Sequence, residues 1–253
     1  YLTSFGYREK TGIDLPGEGT SVVASKDAFT GLDLAIYSFG QNFNVTLIQQ
    51  ITAISAVANG GYLVTPHLLS RITDREGNVI RDYGTNVRRQ VVSAEVCRTV
   101  SQILEEGVSG NGGAKNTYVA GYRIAAKTGT SEKKDAGKKG KYVCSTVAYA
   151  PAEDPKYAVI IIVDEPSKGL LYGSTVAAPY VANVMETILP YLGVEPDYSS
   201  DDIRGVNITL PDVIGMTEDE AATLLSGKSI TYRTVGQGST VTDQLPSPGA
   251  EVP

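Results

Sequence analysis

Lys127-Thr128-Gly129-Thr130 is the stretch whose residue types could do chemistry. An ammonium, two hydroxyls and a glycine in consecutive positions suit an anionic, peptide-like ligand. Such an edge could offer the ammonium, the hydroxyls and main-chain donors to it. The residue without a side chain lets another backbone come close. Extended residues alternate faces, so Lys127 and Gly129 point one way and Thr128 and Thr130 the other. The apolar run from Val119 to Ala126 predicts a buried strand that ends on this motif.

Other reactive side chains are sparse. The single histidine, His67, follows Pro66 and is expected at the surface. No G-x-S-x-G elbow accompanies it, which argues against a Ser-His-Asp site. The two cysteines, Cys97 and Cys144, sit far apart, one in a helical and one in a strand pattern. They read as buried free thiols, and no metal-ligand spacing is present. No metal or cofactor is expected. A net charge of −6 argues against nucleic acid as a partner. No apolar run reaches membrane-spanning length.

Several elements must position the motif. Residues 1–45 are rich in Gly and polar residues, and Thr11 to Glu18 reads as a turn-dense loop. Thr46 and Gln49 form a capping-box pattern ahead of Leu47, Ile48, Ile51, Ile54 and Ala58, and Asn59-Gly60-Gly61 stops that helix. Leu68–Ile72 and Val79–Ile80 flank Asp74-Arg75-Glu76-Gly77-Asn78, a predicted hairpin. Ser93 caps a second helix with Val96, Val100, Ile103, Leu104 and Val108 on its apolar face. A glycine loop, Ser109 to Gly113, follows. Lys133 to Lys141 reads as a solvated basic hairpin tip. Strands at Tyr142–Ala150 and Tyr157–Asp164, joined by short connections, predict an antiparallel meander. A helix is expected from Thr175 to Leu192, with Pro179 in its first turn. Residues 193–206 read as a linker. From 207 to 253 a small βαββ unit is expected, with a Thr217–Glu220 capping box, a helix to Ser226, and strands near Ile230–Val235 and Thr240–Gln244.

Taken together these stretches resemble one family. Lys127 to Thr130 resembles the third active-site motif of penicillin-binding proteins. TGIDLPGE at 11–18, SFGQNFNVTLIQQITAISAVANGG at 38–61, GGAK at 112–115, VAYAPAEDP at 147–155 and LYGSTVAAP at 171–179 are similar to the class B transpeptidase domain, in the family's order. LPDVIGMTEDEA at 210–221 and LPSPGAEV at 245–252 resemble a PASTA module, ending at Pro253 ahead of the last strand such a module usually has. The combination looks like the sporulation transpeptidases of Gram-positive spore formers, with vegetative division transpeptidases close behind.

The resemblance implies an α+β fold: an antiparallel sheet with helices packed on it over residues 1–192, of which only the C-terminal part is expected here. It implies a serine acyl-enzyme D,D-transpeptidase acting on peptidoglycan stem peptides that end in D-Ala-D-Ala. β-Lactams would act as mimics, and division or sporulation wall-synthesis proteins as partners. By this resemblance Lys127 and Thr130 are catalytic, and Lys127, Thr128, Gly129 and Thr130 bind substrate. The backbone N–H of Thr130 forms half of an oxyanion hole. The family works outside the cytoplasm behind an N-terminal membrane anchor. Its S-x-x-K nucleophile and S-x-N motifs are expected ahead of residue 1. Two literal matches, Ser131 to Lys134 and Ser109 to Asn111, are read as coincidences of sequence. On that basis the chain alone is expected to be inactive. The competing readings are a non-catalytic wall-binding or scaffold piece and a D,D-carboxypeptidase or β-lactamase relative.

Overall fold

A computed structural model describes the chain except residues 26, 111, 134–139, 168–170, 198–207, 229, 231 and 253, with backbone alone at 208, 251 and 252. It divides into two compact units, Tyr1–Glu195 and Pro196–Pro253. Most of the expected linker lies outside the described residues.

The first unit is built on a meander of β5 (Ala125–Glu132), β6 (Tyr142–Ala150) and β7 (Tyr157–Asp164), in the order β5-β6-β7. β5 and β6 pair without a register break from Ala125↔Tyr149 to Glu132↔Tyr142. Strand alternation sorts the side chains. Ala126, Ala148 and Ala150 face one way and join Val181, Met185 and Leu189 of helix α5 (Ala178–Tyr191). Ala125 and Tyr149 face the other way, against Ile54 and Ala58 of α2 (Leu47–Ala58) and Leu104 of α3 (Ala94–Ser109). Ala125, Ala148 and Ala150 are fully buried, and side chains this small let helices sit close on both faces of the sheet. The result is the α+β layering that the resemblance implies.

The expected helices form, but their buried faces differ from the apolar stripes. Thr46 and Gln49 close a reciprocal capping box on α2. That helix buries Gln49, Thr52, Ala53 and Ala56, while Leu47 is half exposed. On α3, capped by Ser93, the buried residues are Cys97, Ser101 and Val108, and Val96 and Ile103 lie open. The buried Ser101 and Tyr149 hydroxyls bond each other at 2.7 Å, so this interface is satisfied by polar as well as apolar contact.

Three expected elements of this unit are corrected. Val119 to Ile124 is not strand. Val119 and Tyr122 bridge across a tight turn, and β5 begins only at Ala125, so the motif lies within the strand and not at its end. The helix from Thr175 to Leu192 is two pieces, α4 (Gly173–Val176) and α5, because Pro179 lacks the N–H that would continue the first into the second. Residues 1–45 contain a helix, α1 (Gly31–Ser38), where none was expected. Its Thr30–Asp33 capping box is a signal the apolar pattern hides.

A ribbon of β2 (Arg71–Thr73) and β3 (Val79–Asp82) stands at the surface on a turn held by the Asp74 carboxylate, which accepts from Glu76, Asn78 and the Asn78 side chain. β1 (Tyr62–Val64) pairs with β4 (Val87–Gln90).

In the second unit Thr217 and Glu220 close a capping box on α6 (Glu218–Gly227), whose Ala221 and Leu225 pack on Val213. Its ladder is β8 (Ile208–Thr209) with β9 (Glu251–Val252). The strands expected at 230–235 and 240–244 are absent among the described residues. Ile230 and Val241 pack against the core of the unit, but Val235 is 80% exposed and Thr240 makes only an isolated bridge to Thr217.

Candidate functional site

The site is built on β5, an edge strand of its sheet. Lys127 is exposed on the face that further down carries Ala125. Thr128 and Thr130 lie half-buried on the opposite face, with Ala126, so the expected alternation holds. The Lys127 ammonium donates to the Thr128 carbonyl at 2.8 Å. The Gln41 amide donates to the Thr130 carbonyl at 3.1 Å.

Those two bonds orient the edge. A residue of an antiparallel strand turns its N–H and C=O to the same side. Both carbonyls are reached from the side away from β6, so Thr128 and Thr130 also present their N–H groups to the open edge. A strand edge of this kind carries a row of donors and acceptors that an extended peptide can join.

The other face of the strand is locked by Gly173, at the start of α4. Its N–H donates to the Thr130 hydroxyl oxygen at 3.0 Å, and its carbonyl accepts from Thr146 on β6 at 3.2 Å. The approach leaves no room for a side chain. A Cβ on Gly173 would lie 2.4 Å from the Gly129 carbonyl oxygen and 2.5 Å from that of Ser145. Gly129 is also crowded, because its own Cβ would sit 2.6 Å from the Ser145 hydroxyl. Both glycines serve contacts within the protein at this point. The Thr130 hydroxyl keeps its proton free to donate, since it acts as acceptor toward Gly173.

Asn116 fixes the α4 turn from a second direction by donating to the Ser174 carbonyl at 2.7 Å. Lys133, at the end of β5, bridges to Asp164 at 2.6 Å and Glu165 at 2.9 Å beyond β7. Its pKa is raised, first by the hydrogen bond to Asp164 and then by that to Glu165. Lys133 is therefore held in ion pairs and is not part of the solvated basic tip expected from sequence. The rest of that loop, 134–139, lies outside the described residues.

The two literal nucleophile matches are engaged elsewhere. Ser131 sits on β5, opposite Val143, and donates to the Gln41 side-chain oxygen at 3.4 Å. Ser109 ends α3 and donates to the Glu105 carbonyl at 3.2 Å. Neither opens a helix. Lys134 and Asn111, which complete those strings, lie outside the described residues. Cys97 and Cys144 are buried and unpaired, and burial pushes both thiols up. Such surroundings disfavour the thiolate. His67 is exposed.

Sequence reasoning brought out Lys127, Thr128, Gly129 and Thr130 but missed Gln41, Thr146 and the role of Gly173. These partners lie 27 to 90 positions away in the chain from the residues they hold. No local pattern encodes such contacts.

Comparison with known proteins gives the family of the domain that carries β5. Residues 1–186 match the penicillin binding protein transpeptidase domain, and residues 208–253 match the PASTA domain. The chain is 35% identical, over its whole length, to stage V sporulation protein D of Bacillus subtilis, and spans 40% of that relative. It is 28% identical to the peptidoglycan D,D-transpeptidase FtsI of Escherichia coli across 76% of the chain and 31% of the relative. Penicillin binding protein 3 of Mycobacterium tuberculosis, solved in complex with ampicillin, superposes with a TM-score of 0.70 at 27% identity. That match covers 79% of this chain and 46% of the other. With an edge strand carrying Lys127 to Thr130 and a family match over most of its length, the chain belongs to the penicillin-binding protein transpeptidase family.

Proposed function

We propose that this chain is the C-terminal part of a class B D,D-transpeptidase that cross-links peptidoglycan stem peptides, and that its nucleophilic serine comes from a part of the parent ahead of residue 1. The observation that carries the reading is β5, where an exposed ammonium, two hydroxyls and edge-facing backbone groups occur together within a transpeptidase-family domain.

In this reading a stem peptide ending in D-Ala-D-Ala lies extended along β5. Lys127 supplies positive charge for the terminal carboxylate, and the Thr128 and Thr130 hydroxyls donate to it. The serine oxygen bonds to the penultimate D-Ala carbonyl carbon, the peptide C–N bond breaks, and D-Ala leaves carrying the serine proton. The Thr130 N–H stabilises the oxyanion formed on the way. Such a donor is worth about 10²–10³ in rate. An amine of a neighbouring stem peptide then attacks the ester, forms the new amide and returns a proton to serine. A β-lactam would stop at the ester. The setting is the extracytoplasmic face of a Gram-positive membrane, in spore or division wall synthesis. The PASTA-matching unit acts as a spacer or muropeptide contact.

Intact-mass measurement after incubation with benzylpenicillin tests this reading. One adduct is expected on the parent, at a serine outside these 253 residues, and none on the chain alone. Lys127→Ala in the parent is expected to slow acylation by about a hundredfold. An adduct at Ser131 or Ser109 would overturn the assignment of the nucleophile. No adduct on the parent would overturn the enzymatic reading and leave a wall-binding or scaffold module.

A further inference from the structure

We infer that Gln41 is a positioning residue for the reaction, setting the Thr130 peptide through a side-chain amide that stands where a neighbouring strand would otherwise be. The inference rests on the transpeptidase reading of β5 and adds a residue to it.

The geometry begins with how α1 ends. Gly40 donates to the Tyr37 carbonyl at 3.0 Å and Gln41 to the Ile36 carbonyl at 3.2 Å. This nested pair is a Schellman stop, with Gly40 left-handed at φ +84°. Asn42 follows at φ +69°, a conformation that costs a non-glycine residue and is tolerated best by Asn or Asp. The two left-handed residues flank Gln41 and turn the chain sharply around it. The helix behind the turn is anchored by Tyr37, whose hydroxyl accepts from Ala24 at 3.0 Å and whose ring packs on Phe29 and Phe43. Gln41 is thus held by a built corner and not by a free loop.

From that corner the side chain uses both ends of its amide. Its nitrogen donates to the Thr130 carbonyl, and its oxygen accepts from the Ser131 hydroxyl. A strand edge with no partner leaves its N–H and C=O groups unpaired. Gln41 supplies the donor that a paired strand would give to the carbonyl, and its oxygen accepts from the next side chain. The Thr130 N–H faces the same side as that carbonyl, so fixing one aims the other. Gly173 fixes the Thr130 side chain from the opposite face. Gln41 and Gly173 together leave the Thr130 hydroxyl proton and the N–H as groups to meet a substrate.

The test uses the parent protein and the rate of acylation by a fluorescent penicillin. Gln41→Glu keeps the size and the acceptor for Ser131 but cannot donate to Thr130 while ionised. Gln41→Ala loses both. Each is expected to acylate about tenfold more slowly than wild type at about pH 7.5, from the loss of one hydrogen bond. Near pH 4 the carboxyl introduced by Gln41→Glu takes up a proton and can donate again, because unperturbed Glu titrates at about 4.3 and an apposed carbonyl favours the protonated form. The Gln41→Glu rate, measured against wild type at the same pH, is therefore expected to recover as pH falls, while Gln41→Ala stays slow. A role in folding alone would not produce that recovery. Wild-type rates in both variants would overturn the inference, as would a Gln41→Glu protein as fast as wild type near neutral pH. Failure of the wild-type parent to label would overturn the transpeptidase reading itself.

Discussion

The two units of this chain solve the same problem by different means. In Tyr1–Glu195 a sheet is covered on both faces, with alanines at the points of closest approach and Val181, Met185 and Leu189 filling the layer under α5. In Pro196–Pro253 the core is Val213, Ala221 and Leu225 with a few half-buried neighbours, and the ladder pairs two residues with two. The larger unit can hold the groups of β5 in fixed positions because the buried layers beneath them resist shear. The smaller unit has a thin core and is tied by single bonds between distant segments, such as Leu210 with Ala250 and Val241 with Met216, beside the cap on α6. The groups of β5 have the first kind of support.

Changes on each side should break the comparison unequally. The largest effect is expected from Leu189→Ala, which empties a fully buried site under the sheet and should cost about 3 kcal/mol. Hydrogen exchange is expected to show that loss across Tyr1–Glu195 and leave the amides of 208–252 unchanged. An equal loss in both units would mean that they unfold as one.

Gly173→Ala comes next. The added methyl would press on backbone oxygens that have no rotamer to escape into. Overpacking of this kind costs about 2 kcal/mol. The acylation rate of the parent should fall with it, because the contact lies on Thr130. Full stability in a denaturant titration would show that α4 yields more readily than its hydrogen bonds imply.

In the second unit Thr217→Ala removes the α6 cap and is expected to cost about 1 kcal/mol, read from exchange of the α6 amides alone. Acid acts on the same contact. The Thr217 backbone N–H, and then its hydroxyl, hold the Glu220 carboxyl below its ordinary range. A group depressed in the folded state binds fewer protons there than in the unfolded chain. Its contribution is therefore present above about pH 4.3 and is lost as pH falls through the folded value.

Asp14, Asp33 and Asp74 shift the same way in the first unit, held chiefly by the Leu69 N–H, the Thr30 hydroxyl and the Asn78 side chain in turn. Glu18 does too, where burial opposes the shift and hydrogen bonds from Thr11 prevail. Urea midpoints between about pH 5 and pH 3 are thus expected to fall in both units, with the steeper fall in the first.

Much was legible from local pattern. The caps at Thr46, Ser93 and Thr217 follow from single side chains bonding a backbone three residues on. The meander strands follow from long apolar runs with short connections. Helix α1 was legible in principle, since Thr30, Asp33 and Gly40 mark its ends, but its weak apolar stripe hid it. The buried faces of α2 and α3 were not legible. Cys97, Ser101, Gln49 and Thr52 are inside because of what packs against them, while Leu47 and Ile103 stay open.

The sequence by itself determined which groups exist for chemistry: Lys127, Thr128, Gly129 and Thr130 in an extended stretch, alternating in facing. Residue identity and a two-residue period suffice for that. Only the tertiary structure decided that this stretch is a sheet edge, and that Gln41 holds one side of Thr130 while Gly173 holds the other. Those contacts join segments 43 to 90 residues apart. Their geometry depends on how the Schellman stop of α1, the break before α5 and the sheet register meet in space, and no local rule encodes that meeting.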